Sequence, residues 1–109
     1  MAPLSRRERL EALLADEPND TFLRYGLAAE FDKEGRHAES LAELDRLARE
    51  SPPYVPAFFM AGQQFARLGR VEEAREVLRR GIESARAAGD AHAAGEMSEF
   101  LASLGAMGE

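Results

Sequence analysis

Apolar residues recur along the chain at spacings of three and four, as in Leu10, Leu13 and Leu14, then Leu23, Leu27 and Phe31, then Leu41, Leu44, Leu47 and Ala48. That spacing gathers side chains on one face of a helix, whereas a half-buried strand needs strict alternation. No segment alternates convincingly and β-branched residues are scarce, so the pattern predicts helices and no strand.

Punctuation divides the helices. Ser5 with Glu8 makes a capping box that opens the first, which stops before Pro18. Asn19 or Asp20 caps the second, which ends near Glu34 at Gly35, the residue type best suited to a left-handed C-terminal position. The third spans His37 to Glu50 and is closed by Ser51, Pro52 and Pro53. The fourth starts near Val55 with Pro56 in its first turn and ends at Gly69; the fifth runs from Val71 to Ala88 and closes at Gly89. Asp90 caps a sixth, expected to reach Leu104, with the final GAMGE fraying.

An internal period organises these elements. Pro18 and Pro52 lie 34 residues apart, as do Gly35 and Gly69, Phe31 and Phe65, Tyr25 and Phe59, Arg36 and Arg70, and Glu39 and Glu73. Leu10, Leu44 and Leu78 form a three-member series at the same step. Helix pairs at this step, with large and small residues at fixed places, resemble the tetratricopeptide repeat. The resemblance covers residues 5 to 86, carried by Phe58, Gly62, Phe65, Gly69, Ala74, Leu78 and Gly81, and earlier by Ala28, Phe31, Gly35, Ser40, Leu44, Leu47 and Pro52. Gly62, Ala28, Ala74 and Ser40 fall where paired helices approach most closely. Phe65, Phe31, Leu78 and Leu44 fill space between successive units.

The sequence also departs from the family pattern. Arg24 stands at a bulky apolar position, Leu47 at a small one, and Arg86 replaces the closing proline, which lets the fifth helix run longer. The fold class implied is all-α, a right-handed helical-hairpin solenoid of about six antiparallel helices. The expected organisation is a single domain over 1–109: a half repeat at 5–17, repeats at 21–52 and 55–88, and a capping helix at 90–104. Stacked neighbours supply the core that one pair cannot bury alone. Arg6, Arg7, Arg9 and Glu11 give the first helix a wet face, while Met97, Phe100, Leu101 and Leu104 are available to cover the last full unit.

Composition narrows the function. A net charge of -6 argues against a general polyanion binder, since nucleic-acid affinity comes mostly from clustered cations. The absence of cysteine removes disulfides, thiolate ligands and a cysteine nucleophile, and fits a reducing compartment, with the cytoplasm as the expected location. MAPLSRRERLEALLADEP holds no apolar core of signal-peptide length and no later run spans a bilayer, so neither export nor membrane insertion is expected.

Candidate chemistry is sparse. His37 and His92 sit in no two-histidine helix motif, and no metal or other cofactor is expected. The carboxylates have arginines or cap positions within reach, and the serines have no nucleophile elbow or paired histidine. AAGDAHAAG lacks the lysine of a phosphate loop and reads as a helix stop followed by an N-cap. No catalytic constellation remains. The densest cationic run, RLGRVEEAREVLRRG at residues 67–81, straddles a helix end, a turn and a helix start, which separates its arginines.

The resemblance implies instead a groove lined by the first helix of each pair, receiving a peptide or partner helix. The residues so implied are Phe22, Tyr25, Ala29, Asp32 and Lys33 from the first full unit. From the second they are Pro56, Phe59, Gln63, Ala66 and Arg67. Aromatics beside a cation suit an interface anchor, although Phe22 and Phe59 have packing against neighbouring helices as an equal alternative. The basic and asparagine set by which some family members clamp a terminal carboxylate is not reproduced at Tyr25, Ala29, Phe59 and Gln63. The expected partner is a protein or peptide. A second reading is self-association, as monomer or weak homodimer, through an apolar C-terminal cluster of Phe100, Leu101, Leu104 and Met107.

Overall fold

The computed structural model describes residues 2–107, with side chains as far as 105. Six helices follow in order: α1 (Arg6–Asp16), α2 (Thr21–Lys33), α3 (His37–Ala48), α4 (Val55–Arg67), α5 (Val71–Ala87) and α6 (Ala91–Met107). No strand occurs among the described residues. The fold class is all-α, built from helical hairpins, as the periodicity predicts.

The helix starts are made by the residues the sequence offers. The Glu8 amide donates to Ser5 Oγ at 3.0 Å and the Ser5 amide to Glu8 Oε1 at 2.9 Å, which completes the capping box of α1. Asp20 caps α2 through the Leu23 amide at 2.9 Å, and Asp90 caps α6 through the Ala93 amide at 3.0 Å. Three helices end on the same device. Gly35, Gly69 and Gly89 have φ of 77°, 76° and 75°, a left-handed backbone that glycine adopts without a Cβ penalty. The next amide then reaches back to an otherwise orphan carbonyl. Arg36 N–H donates to Phe31 O at 2.8 Å, Arg70 N–H to Phe65 O at 2.9 Å, and Asp90 N–H to Ala85 O at 2.8 Å.

The arginine after each of the first two glycines repeats its contacts. Arg36 lies 4.7 Å from the centroid of the Phe31 ring and donates twice to Glu39 at 2.7 Å. Arg70 lies 4.8 Å from the Phe65 ring centroid and donates twice to Glu73 at 2.7 Å. These hydrogen bonds hold the Glu39 and Glu73 carboxyls below the usual range.

Two ends differ from expectation. Helix α3 stops at Ala48 rather than Glu50, because the Ser51-Pro52-Pro53 run biases the residues before it away from helical geometry. Helix α6 continues past Leu104 to Met107. Its late Leu104 carbonyl accepts from Arg75 Nη2 at 2.9 Å, which helps satisfy the unpaired end of the helix.

The chain divides into two compact units, Met1–Leu47 and Ala48–Glu109. In the first, α1 packs on α2 with Leu10 against Gly26, whose Cβ position is 3.5 Å from Leu10 Cδ1. Leu13, also on α1, is left 53% exposed. Arg7 donates to both Glu34 oxygens at 2.9 Å and to Glu11 at 2.8 Å, while Arg6 lies 3.3 Å from Glu30. Ser40 Oγ donates to Ala28 O at 2.7 Å, tying α3 to α2 where small residues were expected. In the second unit α5 packs on both α4 and α6. Ala57, Phe58, Leu78, Ile82, Ala94, Met97 and Leu104 are buried there. Gly62 allows the approach of α4 to α5, since a Cβ on it would stand 2.6 Å from Leu78 Cδ2 and 2.7 Å from Leu78 Cγ.

Candidate functional site

Helix α4 reads VPAFFMAGQQFAR and carries no acidic residue, in a chain with 20 of them. Its positions 59, 63, 66 and 67 follow the helical period and share one face. Helix α6 presents Phe100 and Leu104, one turn apart. Between the two faces lies an open pocket of about 440 Å³, lined by Gln63, Ala66 and Arg67 from α4 and by Phe100 and Leu104 from α6. Phe59 extends the wall, its ring centroid 5.9 Å from that of Phe100 at a tilt of 59°.

The pocket has an apolar floor and a polar rim. Leu104 is fully enclosed and Phe100 half-buried, while Gln63 and Arg67 are exposed. Such a surface can take an apolar side chain and offer an amide and a guanidinium to carbonyl or carboxylate oxygens beside it. The packing of unit 2 thus joins residues that the sequence separates into a groove set and a self-association set. Leu104 is a core residue here rather than a surface anchor. Phe100 makes its aromatic contact within the unit, and the Met107 side chain lies outside the described residues.

In unit 1 the expected residues lie along α2. Phe22 is 73% exposed, and Tyr25 and Ala29 are half-buried. Asp32 Oδ1 lies 3.0 Å from His37 Nδ1, so this carboxylate already engages the start of α3. Lys33 lies 3.2 Å from Glu30, a carboxylate it shares with Arg6. In unit 2, Pro56 is exposed at the start of α4.

One charged group was not anticipated. Glu43 is buried, accepts from Arg24 Nε at 2.6 Å, and is also hydrogen-bonded to Arg46. Burial pushes its carboxyl up, but the hydrogen bonds from Arg46 and Arg24 outweigh it and the carboxyl lies below its ordinary value. The signal was available: Arg24 and Glu43 depart together from Phe58 and Val77, their equivalents 34 residues later. Elsewhere, His92 is exposed, 3.5 Å from Glu96. Among the described residues no three His, Cys, Asp or Glu side chains converge as a metal site, and no helix is long and apolar enough to cross a membrane.

No family model matches the chain. A TPR repeat-containing protein of Pseudomonas aeruginosa is 29% identical over 97 residues, covering 89% of this chain and 92% of that protein. The solution structure of a tetratricopeptide repeat domain protein from Salinibacter ruber superposes with a TM-score of 0.74 at 31% identity, over 80% of this chain and 88% of that one. A crystal structure of a tetratricopeptide repeat domain protein from the same organism gives 0.71 at 30% identity, over 81% and 98% of the two chains.

Proposed function

The chain belongs to the tetratricopeptide repeat family, and from that premise we propose that it is a non-catalytic interaction module whose α4–α6 pocket receives a side chain of a bound peptide or partner helix. Proteins of this fold generally mediate protein–protein interaction and are generally non-catalytic scaffolds. The observation that carries the reading is the pocket itself: an apolar recess on a helix free of acidic residues, with Gln63 and Arg67 at its rim. A buried apolar anchor ringed by polar contacts is the arrangement that concentrates binding energy in an interface. Phe59 of α4 extends the proposed contact surface within the second unit, and Phe22, Tyr25, Ala29, Asp32 and Lys33 of α2 are the proposed contact residues of the first.

The same proposal takes residues 5–17 as a half repeat, 21–52 and 55–88 as full repeats, and 90–104 as the capping segment. The cysteine-free composition suits a reducing compartment such as the cytoplasm. Self-association through α6 has less support, because Leu104 is enclosed and Phe100 is engaged with Phe59.

Selection of a peptide library on the immobilised chain tests the reading. Peptides selected on the natural chain are expected to bind a Gln63→Arg/Arg67→Glu variant at least about tenfold more weakly, the effect of losing roughly 1.4 kcal/mol, with helical circular dichroism unchanged. Equal affinity for both chains contradicts the pocket as the site.

A further inference from the structure

Two hairpins whose residues repeat every 34 positions must still tell their own helices apart, since exchanged helices are a characteristic failure of repeat proteins. The positions of closest approach do little to discriminate: Ala28 and Gly62, Ser40 and Ala74, and Leu44 and Leu78 are pairwise small or identical. Among the equivalent positions that differ, three form a set. Unit 1 holds Arg24, Glu43 and Leu47 where unit 2 holds Phe58, Val77 and Gly81.

Each set is complementary within its own hairpin. In unit 2 the large residue is on the first helix and the second helix is bare. A Cβ on Gly81 would stand 2.5 Å from Phe58 Cβ and 2.6 Å from Met97 Sδ. In unit 1 the second helix carries fully buried Leu47 where unit 2 has Gly81, and the first helix carries Arg24, hydrogen-bonded to Glu43. Arg46 and Arg80 are equivalent as well, yet each serves its own hairpin. Arg46 pairs with Glu43, whereas the Arg80 guanidinium lies 5.7 Å from the Phe58 ring centroid.

We infer that these positions form a pairing code that lets each first helix close only on its own second helix, and so opposes exchange of helices within a chain or between copies. With α2 closed on α5, Arg24 meets Val77 in place of a carboxylate, beside the cation of Arg80. With α4 closed on α3, the Phe58 ring takes the place of the Arg24 guanidinium over buried Glu43, which keeps Arg46 on its own helix but loses Arg24. Both wrong pairings therefore leave an enclosed charge with less compensation than its own hairpin supplies.

The chain has no cysteine, so engineered thiols report helix pairing cleanly. Ala28→Cys with Ser40→Cys reports the native pairing, because Ser40 Oγ reaches Ala28 O at 2.7 Å. Ala28→Cys with Ala74→Cys reports α2 closing on α5. Each reporter is placed in the full chain with the code intact and in two chains that erase it in opposite directions, Arg24→Phe/Glu43→Val/Leu47→Gly and Phe58→Arg/Val77→Glu/Gly81→Leu. After refolding at high concentration under oxidising conditions, the yield of the 28–74 disulfide is expected to rise about tenfold when the code is erased. If an erased chain still folds and forms the 28–40 disulfide, yet gives no more 28–74 disulfide than the intact code, the inference is overturned. Either erased chain alone decides the matter should the other not fold.

Discussion

Glu43 shows what a single substitution within a repeat requires. A carboxylate at an apolar position is tolerated because Arg24 and Arg46 hydrogen-bond it, and together they hold its folded pKa below the ordinary glutamate value. A depressed carboxyl pKa contributes stability above its unfolded value, and that contribution is lost as pH falls through the folded value. Glu43→Gln is therefore expected to lower stability by about 1–2 kcal/mol near neutrality. The gap between the two chains narrows as the pH drops below the ordinary glutamate range. Urea unfolding of both chains across that range checks the sign: a gap that widens on acidification contradicts it. That Arg24 and Glu43 both depart from their equivalents is legible in the sequence, but a one-dimensional period shows which positions are equivalent and not which side chains meet.

Helix–helix approach is the element-scale counterpart. Gly81 and Gly95 are both helical glycines, and only the first is enclosed, with Phe58 Cβ and Met97 Sδ inside the space a methyl group would need. Around Gly95 nothing lies within 4 Å. Gly81→Ala is expected to destabilise by about 1–3 kcal/mol through overpacking. Gly95→Ala is expected to stabilise by about 0.5–1 kcal/mol through helix propensity. Thermal unfolding of the two variants should move the midpoint in opposite directions; equal shifts would refute the packing account. Helix starts at Ser5, Asp20 and Asp90, and stops at Gly35, Gly69 and Gly89, were legible because caps and left-handed turns are local chemistry. The extension of α6 was not, since Arg75, remote in sequence, meets its Leu104 carbonyl. The cationic run at 67–81 also resolves at this scale. Arg70 serves the turn, Arg75 binds Glu72 and α6, Arg79 is exposed on α5, Arg80 lies over Phe58, and Arg67 lines the pocket rim.

For the whole molecule, the period carried the fold and the family, whereas the site depended on packing. The groove residues of α4 and the apolar residues of α6 stood in the sequence as two unrelated sets, and only the folded second unit makes them one pocket. The proposed interaction needs no reactive group: the helices would hold the apolar recess in place, and its rim would supply direction to the contact. On the proposed reading, a partner binds at the α4–α6 pocket. Titration of the ¹⁵N-labelled chain with a selected peptide, followed residue by residue by NMR, tests it most directly. The largest amide shifts are expected at Gln63, Ala66, Arg67, Phe100 and Leu104. Saturable binding that leaves those five in place and moves the outer face of α5, at Glu76, Arg79 and Glu83, would contradict it.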